Sequence, residues 1–385
     1  MKRVIIFGCD GYIGNAITQR LLFKGFDVIG VDNLSRRSLV EKEMGSYSAI
    51  PIKSMLEKLV IFRKIGRFTF YNYDVATDFT AVSELLAEVV PDTVINLAHI
   101  PSGPYSLKSH HNANFTLHNN IIGTNNLLWA IKKHCPDAHY ITIGTTGEYD
   151  HYSNIDIEEG YITMNHNGRT SVEMIYPRRP GSIYHCSKTA STYLIDFLAR
   201  SWGIRCTDVQ QAVVFGSYTD DIEQTKVYSR LDSDEAFGTV INRFIVQSVL
   251  GEPLTIYGEG NHKRGLISLN DSVQALEIAV NNPAGVDKPQ VWNQLSEWHS
   301  INELAIIVKE VMLEKGVDVS FQNIDTPRNE QTSDHYYRYV TEKLAKLGYL
   351  KSREINQEVS YVIDLLDKDH IEGLKEVVLP KISWK

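Results

Sequence analysis

The chain has 385 residues, of which 43% are hydrophobic and 22% charged, a composition typical of a globular protein long enough to bury a substantial core. A formal net charge of -8 without any Lys/Arg block argues against nucleic-acid binding, and the absence of an apolar run of about 18 residues argues against a membrane-spanning helix. The 4 cysteines are widely spaced without a CxxC pair, so we predict no metal site, no disulfide framework and a reducing, cytoplasmic location.

The amino-terminal part of the chain alternates apolar runs with helical patterns. Residues 4–7 are a continuous apolar run, as expected of a strand covered on both faces, and Ala16, Ile17 and Leu21 recur at helical spacing. The elements predicted here are strand 4–7, helix 15–24, strand 27–32, a connection with some helix over 34–60, strand 68–73, helix 79–89, strand 93–97, helix 112–133 and strand 139–144. This alternation predicts an α/β fold with a Rossmann-like, doubly wound parallel sheet.

The alternation breaks after the fifth predicted strand. Residues 151–183 are rich in Asn, Gly, Pro and Tyr without clear periodicity, and we predict that they form an active-site loop. The elements predicted beyond it are helix 184–202, strand 207–215, helix 237–250, strand 253–258 and helix 272–281. We therefore expect a Rossmann domain over 1–215 and a smaller mixed α/β substrate-binding domain over 216–385, with segments around 237–280 interleaved with the first.

A glycine triplet follows the first predicted strand and opens a helix. A dinucleotide pyrophosphate needs a tight turn, a bare backbone and close helix–strand packing, and Gly8, Gly11 and Gly14 stand where those needs arise. Asp32 ends the second strand 18 residues after Gly14, where a carboxylate can bind the adenosine ribose hydroxyls. The pattern favours a cofactor site over a plain strand–helix turn.

The cofactor is predicted to be NAD. Asp32 repels a 2′-phosphate, whereas a nearby Arg36 or Arg37 can accept one, so the two signals oppose each other. We expect NAD, with one of these arginines flanking the adenine. The other residues assigned to the cofactor are Asp10, Tyr12, Ile13, Asn33, Asp74, Val75, Leu97, Asn119, Tyr184 and Lys188.

Tyr184 and Lys188 lie four residues apart, on one face of the helix predicted over 184–202. A neighbouring ammonium lowers the pKa of a phenol, and a phenolate beside a nicotinamide can take the proton of a substrate hydroxyl while hydride leaves the same carbon. Thr145, at the end of the fifth strand, is placed to hydrogen-bond that hydroxyl. The alternative is that Tyr184 and Lys188 are ordinary surface residues.

Together these residues resemble the extended short-chain dehydrogenases and reductases that act on nucleotide sugars. Further segments resemble the UDP-sulfoquinovose synthase family, and the run at 154–169 is the most specific of them. These segments are DNLSRR at 32–37, HNNIIGT at 118–124, GTTGEY at 144–149, NIDIEEGYITMNHNGR at 154–169, NRF at 242–244, PLTIYG at 253–258, RG at 264–265, HYY at 335–337 and SWK at 383–385. The resemblance therefore covers essentially the whole chain.

The resemblance implies conversion of UDP-glucose and sulfite to UDP-sulfoquinovose with a tightly held NAD. Tyr184, with Lys188 and Thr145, would oxidise C4 to a ketone that acidifies the C5 proton. Loss of water from C6 would give a 5,6-ene, sulfite would add at C6, and C4 would be reduced again. Proton transfer at C5 and C6 needs a further group, for which Glu148 and His185 are the candidates.

The sequence departs from the family after the fourth strand, where Ile100 and Pro101 stand in place of Gln and Arg. A sulfite dianion or a sulfonate needs a cation or several N–H donors, so the sulfite site is less secure than the UDP-glucose and NAD sites. His99, His166, Arg169 and backbone amides are the candidates to compensate.

The resemblance extends to the sugar nucleotide and to assembly. Arg264 and Arg328 are predicted to bind the diphosphate, because a guanidinium binds phosphate oxygens in pairs. Asn119, Gln211, Asn242 and Tyr257 are assigned to uracil, ribose or sugar hydroxyls, although each has a plain surface or capping role as its alternative. The helices at 112–133 and 184–202 are the pair that commonly forms a dimer interface in this superfamily, which implies a homodimer or a higher homo-oligomer.

Two other functions stay open at this point. The first is a UDP-sugar 4-epimerase or 4,6-dehydratase, although the dehydratases usually carry Asp-Glu directly after the Thr, unlike residues 145–148, and a simple epimerase has no need of the run at 154–169. The second is a non-catalytic NAD-sensing protein, since a fold alone does not fix a function. Retention of both Tyr184 and Lys188 argues against that last alternative.

Overall fold

The computed structural model describes residues 1–149, 155–326 and 338–379. The strands are β1 Arg3–Phe7, β2 Asp27–Val31, β3 Phe68–Tyr71, β4 Thr93–Asn96, β5 His139–Thr145, β6 Tyr161–Ile162, β7 Asn165–His166, β8 Arg169–Thr170, β9 Met174–Ile175, β10 Cys206–Gln211, β11 Val213–Phe215, β12 Leu254–Tyr257, β13 Lys263–Ser268, β14 Gln290–Gln294, β15 Glu297–Ser300 and β16 Phe321–Ile324. The α-helices are α1 Tyr12–Phe23, α2 Ser35–Ser38, α3 Met55–Ile65, α4 Phe79–Val89, α5 Gly103–Leu107, α6 His110–Leu117, α7 Gly123–His134, α8 Ile183–Trp202, α9 Asp220–Thr225, α10 Val240–Leu250, α11 Leu269–Asn281, α12 Ile301–Glu314, α13 Glu342–Lys346, α14 Ile355–Leu365 and α15 Lys368–Ile371.

A seven-stranded sheet in the order β14-β10-β5-β4-β1-β2-β3 forms the centre of the fold, and every neighbouring pair is parallel. Its strands are apolar on both faces because a separate hydrophobic core covers each face. The predicted doubly wound Rossmann-like sheet is therefore confirmed. The strand order reverses between β1 and β4, and a crevice for a ligand opens at the carboxyl ends of the strands at such a point.

The strand predicted over 207–215 is in fact two strands in different sheets. β10 ends at Gln211 and stays in the large sheet, whereas β11 begins at Val213 and pairs with β13 in a three-stranded sheet that β15 completes. The chain crosses between the sheets at Ala212, whose backbone N–H donates to Gln294 O at 2.9 Å. No Gly or Pro interrupts residues 207–215, so the sequence pattern alone did not reveal the crossing.

The carboxy-terminal part of the chain contributes to both halves of the fold. Helices α10, α12 and α14 pack around strand β12 in a third hydrophobic core. Helix α11 instead packs on α1, and β14 joins the edge of the large sheet. Residues 269–294 thus return to the Rossmann sheet, and this segment overlaps the predicted interleaved interval around 237–280 over residues 269–280. The division at residue 215 stays a prediction.

Two local features position the site. The long helix predicted over 112–133 runs from His110 to His134, and a π-helical turn over His118–Ile122 interrupts it and holds Asn119. The described part of the predicted loop forms two small antiparallel hairpins, β6 with β9 and β7 with β8.

Within the described residues, no helix combines the length and the apolarity that crossing a membrane requires.

Candidate active site

A cavity of about 770 Å³ opens at the carboxyl ends of β1, β4 and β5. The sequence-predicted residues that line it are Gly8, Gly11, Tyr12, Ile13, Gly14, Asp32, Asn33, Arg36, Val75, Leu97, His99, Asn119, Thr145, Tyr184, His185, Lys188, Gln211, Asn242, Tyr257 and Arg264. Six others, Asp10, Arg37, Asp74, Glu148, His166 and Arg169, do not line it, and Arg328 lies outside the described residues. The fold thus gathers residues from distant parts of the chain around one cavity.

The glycine triplet forms a bare backbone cradle at one end of the cavity. Gly8 has a φ of +86°, a left-handed conformation that favours glycine. A Cβ on Gly14 would lie 1.9 Å from the carbonyl oxygen of Gly8, so helix α1 approaches the turn as closely as only glycine allows. This cradle at a helix N-terminus fits the pyrophosphate of a dinucleotide.

Asp32 lies beside the cradle with its carboxylate held in place. Oδ2 accepts the backbone N–H of Asp10 at 2.9 Å, and Oδ1 accepts that of Leu34 at 2.7 Å. Burial, and next the negative charge of Asp10, raise the pKa of Asp32 to about 6. The carboxylate oxygens remain available for the ribose hydroxyls of a dinucleotide.

Two of the residues assigned to the cofactor turn their side chains to the protein instead. The Asp10 carboxylate binds Arg37 at 2.6 Å and Lys58 at 2.8 Å, because a buried carboxylate needs cationic partners. Asp74 accepts from Asn33 Nδ2 at 2.6 Å. These side chains therefore support the cofactor site without facing the cavity.

The charge partners of the two arginines after Asp32 favour NAD over NADP. Arg37 is paired as just described, and Arg36 donates to Asp232 Oδ2 at 2.8 Å while its guanidinium lies 3.4 Å over the Phe237 ring. Burial alone would raise the pKa of Asp232, but Arg230 and Arg36 lower it to about 2. Both arginines are thus bound to carboxylates and do not offer a full positive charge to a 2′-phosphate.

We expect NAD affinity to depend on pH through Asp32. The ionised carboxylate is the form that accepts hydrogen bonds from the ribose, and the pKa in the protein without cofactor is about 6. Affinity should be constant above about pH 7 and should fall by up to about tenfold per pH unit below pH 6. Titration of cofactor-free protein with NAD between pH 5 and pH 8 measures this, and an Asp32→Asn variant should remove the dependence. A flat profile for the unsubstituted protein contradicts the assignment.

Thr145, Tyr184 and Lys188 meet at the other end of the cavity, which we call the reacting end. Thr145 hydrogen-bonds Tyr184. Burial and the charge of Glu148 raise the pKa of Tyr184, and the hydrogen bond from Thr145 opposes that shift. Lys188 lies one helical turn after Tyr184 and donates to Ile143 O at 2.7 Å, which fixes its ammonium at the end of β5.

His99 and Lys188 form a second pair at the reacting end. Lys188 Nζ lies 3.3 Å from His99 Nδ1. Burial, and next the Lys188 charge, hold the pKa of His99 well below its usual range, so the imidazole is neutral. Burial also lowers the pKa of Lys188 to about 8, against the opposing effect of Glu148 and Asp208. The lysine therefore carries the positive charge of this pair at neutral pH.

Glu148 does not lie where a proton-transfer group for the substrate would. It is fully buried, and its Oε2 accepts from Thr192 Oγ1 at 2.9 Å, while that hydroxyl also lies 3.3 Å from Asp208 Oδ2. Gln210 Nε2 donates to the same Asp208 oxygen at 2.7 Å, and Gln210 Oε1 accepts the backbone N–H of Thr145 at 3.1 Å. The network holds Thr145 from behind, so the proposed direct role of Glu148 is not supported.

His185, the other acid–base candidate, does line the cavity. Its Nδ1 lies 3.1 Å from the hydroxyl of Ser182, the residue that caps helix α8. A Cβ on Gly147 would lie 2.2 Å from His185 Nε2, so the ring packs directly on that backbone. Its imidazole is thus fixed at the reacting end.

Buried polar atoms mark the wall that the smaller part of the fold contributes. Arg230 Nη1, Arg243 Nε and Asn242 Oδ1 line the cavity or its edge and have no hydrogen-bond partner among the described residues. The Arg243 guanidinium also donates to the Tyr257 hydroxyl, and Arg264 lies on the same wall. Buried polar groups are normally satisfied, so these atoms fit a polar, anionic ligand.

Two residues predicted to bind substrate lie elsewhere or are otherwise engaged. Gln211 lines the cavity, but its amide donates to Gln294 Oε1 at 2.5 Å and accepts from Ser272 at 3.0 Å, which joins β10 to β14 and α11. Arg169 lies exposed on β8, away from the cavity. Neither the hydrogen bonds of Gln211 nor the exposure of Arg169 could be predicted from the sequence, because both depend on the packing of distant segments.

Sequence reasoning gave no role to several charged residues of the site. Arg178 lies 3.6 Å from Glu148 and 4.1 Å from the Tyr149 ring centroid, with its side chain 1% exposed. Arg243 stands in the quoted NRF segment, which offered a signal, whereas Arg230 and Asp208 lie in stretches without any recognised pattern. The roles of these charged residues are evident only from their burial and from their hydrogen-bond and charge partners in the structure.

The comparisons with known proteins agree with this site. Residues 4–293 match the NAD dependent epimerase/dehydratase family. Over its full length the chain is 37% identical to the chloroplastic UDP-sulfoquinovose synthase of Spinacia oleracea, of which it covers 79%, and 35% identical to the UDP-sulfoquinovose synthase of Sulfolobus acidocaldarius, of which it covers 98%. The chain belongs to the UDP-sulfoquinovose synthase family. It is therefore an NAD-dependent enzyme of the extended short-chain dehydrogenase/reductase type.

A solved structure shows the same fold at low identity. The UDP-glucose 4-epimerase of Thermotoga maritima superimposes with a TM-score of 0.69 at 20% identity, over 94% of this chain and 98% of that one. At this identity the likeness concerns the fold alone. It supports the seven-stranded sheet and the smaller part described above.

Proposed function

We propose that the protein forms UDP-sulfoquinovose from UDP-glucose and sulfite. The observation that carries the proposal is the meeting of Thr145, Tyr184 and Lys188 in the same cavity as Asp32 and the glycine cradle. The full-length similarity to two proteins named UDP-sulfoquinovose synthase supports the choice of substrate. A non-catalytic NAD-binding protein has no need of this arrangement.

In the first stage, we propose that Tyr184 takes the proton of the C4 hydroxyl. Thr145 hydrogen-bonds Tyr184 and can hold the same substrate hydroxyl, and the Lys188 ammonium stabilises the phenolate electrostatically. NAD, which the glycine cradle and Asp32 would hold, would supply the acceptor and later the donor of the C4 hydride when bound. The buried carboxylates behind Thr145 hold it in position.

In the second stage, the C4 ketone acidifies the C5 proton, and we propose that His185 removes it. His185 is the acid–base candidate that lines the cavity, whereas Glu148 lies behind it. The electrons of the C5–H bond form the 5,6-double bond as hydroxide leaves C6 and takes the proton from His185 to become water. The sulfur lone pair of sulfite then forms the C6–S bond, and C5 regains a proton that His185 takes up from solvent. Tyr184 returns its proton to the C4 oxygen as C4 is reduced.

The UDP group is proposed to bind on the wall formed by the smaller part of the fold. Arg243 and Arg264 provide cationic donors for the diphosphate, and Asn242 Oδ1 offers an acceptor for a ribose or uracil N–H or O–H donor. A guanidinium binds two phosphate oxygens at once, which fixes orientation as well as affinity. This places the hexose toward the reacting end.

The proposal is tested by mass spectrometry of purified protein incubated with UDP-glucose, with and without sulfite. We expect a UDP-hexose sulfonate that forms only with sulfite. Formation of UDP-galactose both with and without sulfite would indicate a 4-epimerase. Formation of a 4-keto-6-deoxy sugar under both conditions would indicate a 4,6-dehydratase. No product, together with NAD that stays oxidised on adding UDP-glucose, would indicate a non-catalytic NAD-binding protein.

We also propose a cytoplasmic homodimer. The four free cysteines, of which Cys186 is exposed, suit a reducing compartment. Helices α7 and α8 expose Trp129 at 48%, Tyr193 at 48% and Phe197 at 57%, an aromatic surface suited to burial against a second copy.

A further inference from the structure

The proposed reaction requires a site for a sulfite anion near the reacting end. Pro101 lines the cavity but offers neither charge nor N–H. Of the candidates to compensate, His166 and Arg169 lie exposed on the β7–β8 hairpin and do not line the cavity. His99 lines it but is neutral beside Lys188. None of these three side chains therefore supplies a cation to an anion in the cavity.

Arg179 lines the cavity at the reacting end. Its backbone N–H donates to Glu148 O at 3.0 Å, which ties this segment to the turn that follows Thr145. Gly181, two residues later, also lines the cavity, and a Cβ there would lie 4.0 Å from His185 Nδ1. Arg179 is thus anchored between the strand end that carries Thr145 and the helix that carries Tyr184.

Arg179 and the preceding arginine differ in their surroundings. The Arg178 side chain is buried against Glu148 and Tyr149, as described above, and does not line the cavity. Arg179 is exposed and lies at the cavity rim, where an anion arriving from solvent meets it first. Of the two neighbouring arginines, Arg178 is thus buried against Glu148 and Arg179 lines the cavity.

The charges around the cavity favour an anion at this rim. Among the residues that the structure describes, the carboxylates lining the cavity are Asp32 and Asp232, both at the adenosine end. The Arg36 and Arg230 guanidiniums are bound to Asp232, and that of Arg243 to Tyr257. The carboxylates among these lining residues thus lie at the adenosine end, whereas the cationic side chains of Lys188 and Arg179 lie at the reacting end.

We propose that Arg179 recognises sulfite and then the C6 sulfonate formed from it. The planar guanidinium can donate two parallel N–H bonds to two oxygens of either group. The proposal rests on the proposed function, because it concerns the second substrate of that reaction. Arg179 is a binding residue and takes part in no proton transfer.

The test compares Arg179→Gln and Arg179→Lys with the matched control Arg169→Gln, which removes an exposed arginine of the neighbouring hairpin. We expect Arg179→Gln to raise the KM for sulfite by about tenfold, since a charge-assisted hydrogen bond at an exposed rim is worth a modest amount. Arg179→Lys should recover part of the loss, and Arg169→Gln should change nothing. The KM for UDP-glucose and the reduction of bound NAD by UDP-glucose should stay unchanged in all three.

Three outcomes would overturn the proposed role of Arg179. An unchanged sulfite KM in Arg179→Gln, with sulfonate still formed, overturns the proposal and leaves the proposed function intact. A raised KM for UDP-glucose with unchanged sulfite KM assigns Arg179 to the nucleotide sugar and also overturns it. Failure of the unsubstituted protein to form any sulfonate overturns the proposed function and this inference with it.

Discussion

Replacement of Tyr184 by Phe is expected to lower turnover by roughly 10² to 10⁴, the range of general acid–base catalysis, while NAD and UDP-glucose still bind. The substitution removes one oxygen that exchanges a proton with the C4 hydroxyl and leaves the ring in place. Product formation and reduction of bound NAD by UDP-glucose measure the effect, and equilibrium binding measures the affinities. Tyr193→Phe is the matched control, because Tyr193 lies on the same helix and is 48% exposed.

A Tyr184→Phe variant that still reduces its NAD at the normal rate would contradict the assignment of the base. Loss of NAD binding in that variant would show that the tyrosine serves the cofactor rather than the C4 proton. Tyr193→Phe should keep the full rate, and a loss there would indicate that the helix itself tolerates no change.

Replacement of Asp32 by Asn is expected to weaken NAD binding by about 10²-fold, through loss of charge-assisted hydrogen bonds to the ribose. The cofactor-free protein should keep its stability to within about 1 kcal/mol. A carboxyl whose pKa is raised to about 6 stabilises the fold only while it is protonated, and that contribution is lost as the pH rises through 6. Ionised Asp32 therefore does not stabilise the fold at pH 7.

The NAD content of purified protein and the unfolding of cofactor-free protein measure these two effects. Asp27→Asn is the matched control, since Asp27 begins β2, the strand that Asp32 follows, and lies 3.6 Å from Arg3, away from the cavity. Unchanged NAD retention in Asp32→Asn would contradict the assignment of this carboxylate. Unfolding of the cofactor-free variant at markedly lower temperature would contradict the argument from its pKa.

Most of the central sheet could be predicted from local patterns. Strands such as β1 are buried on both faces and read as continuous apolar runs, and α1 and α8 show helical spacing. The glycine triplet and the pair Tyr184 and Lys188 were predictable because their chemistry fixes short spacings. Such signals lie within a few residues of one another in the sequence.

The remaining features depend on contacts between distant segments. The break at Ala212 and the return of α11 and β14 to the large sheet follow from which surfaces pack together. Glu148 belongs to one of the segments that resemble the family, yet its carboxylate is buried against Thr192 and does not line the cavity. Arg179 and Arg230 acquire their roles only because the fold brings them to the cavity.

The most direct measurement follows the sugar itself. UDP-glucose carrying deuterium at C4 is incubated with the protein and sulfite, and the product is examined by mass spectrometry. The account predicts a UDP-hexose sulfonate that retains the deuterium, because the hydride removed from C4 returns to it, and predicts its absence in Tyr184→Phe. A product without sulfur, or a sulfonate that has lost the deuterium, would contradict the account.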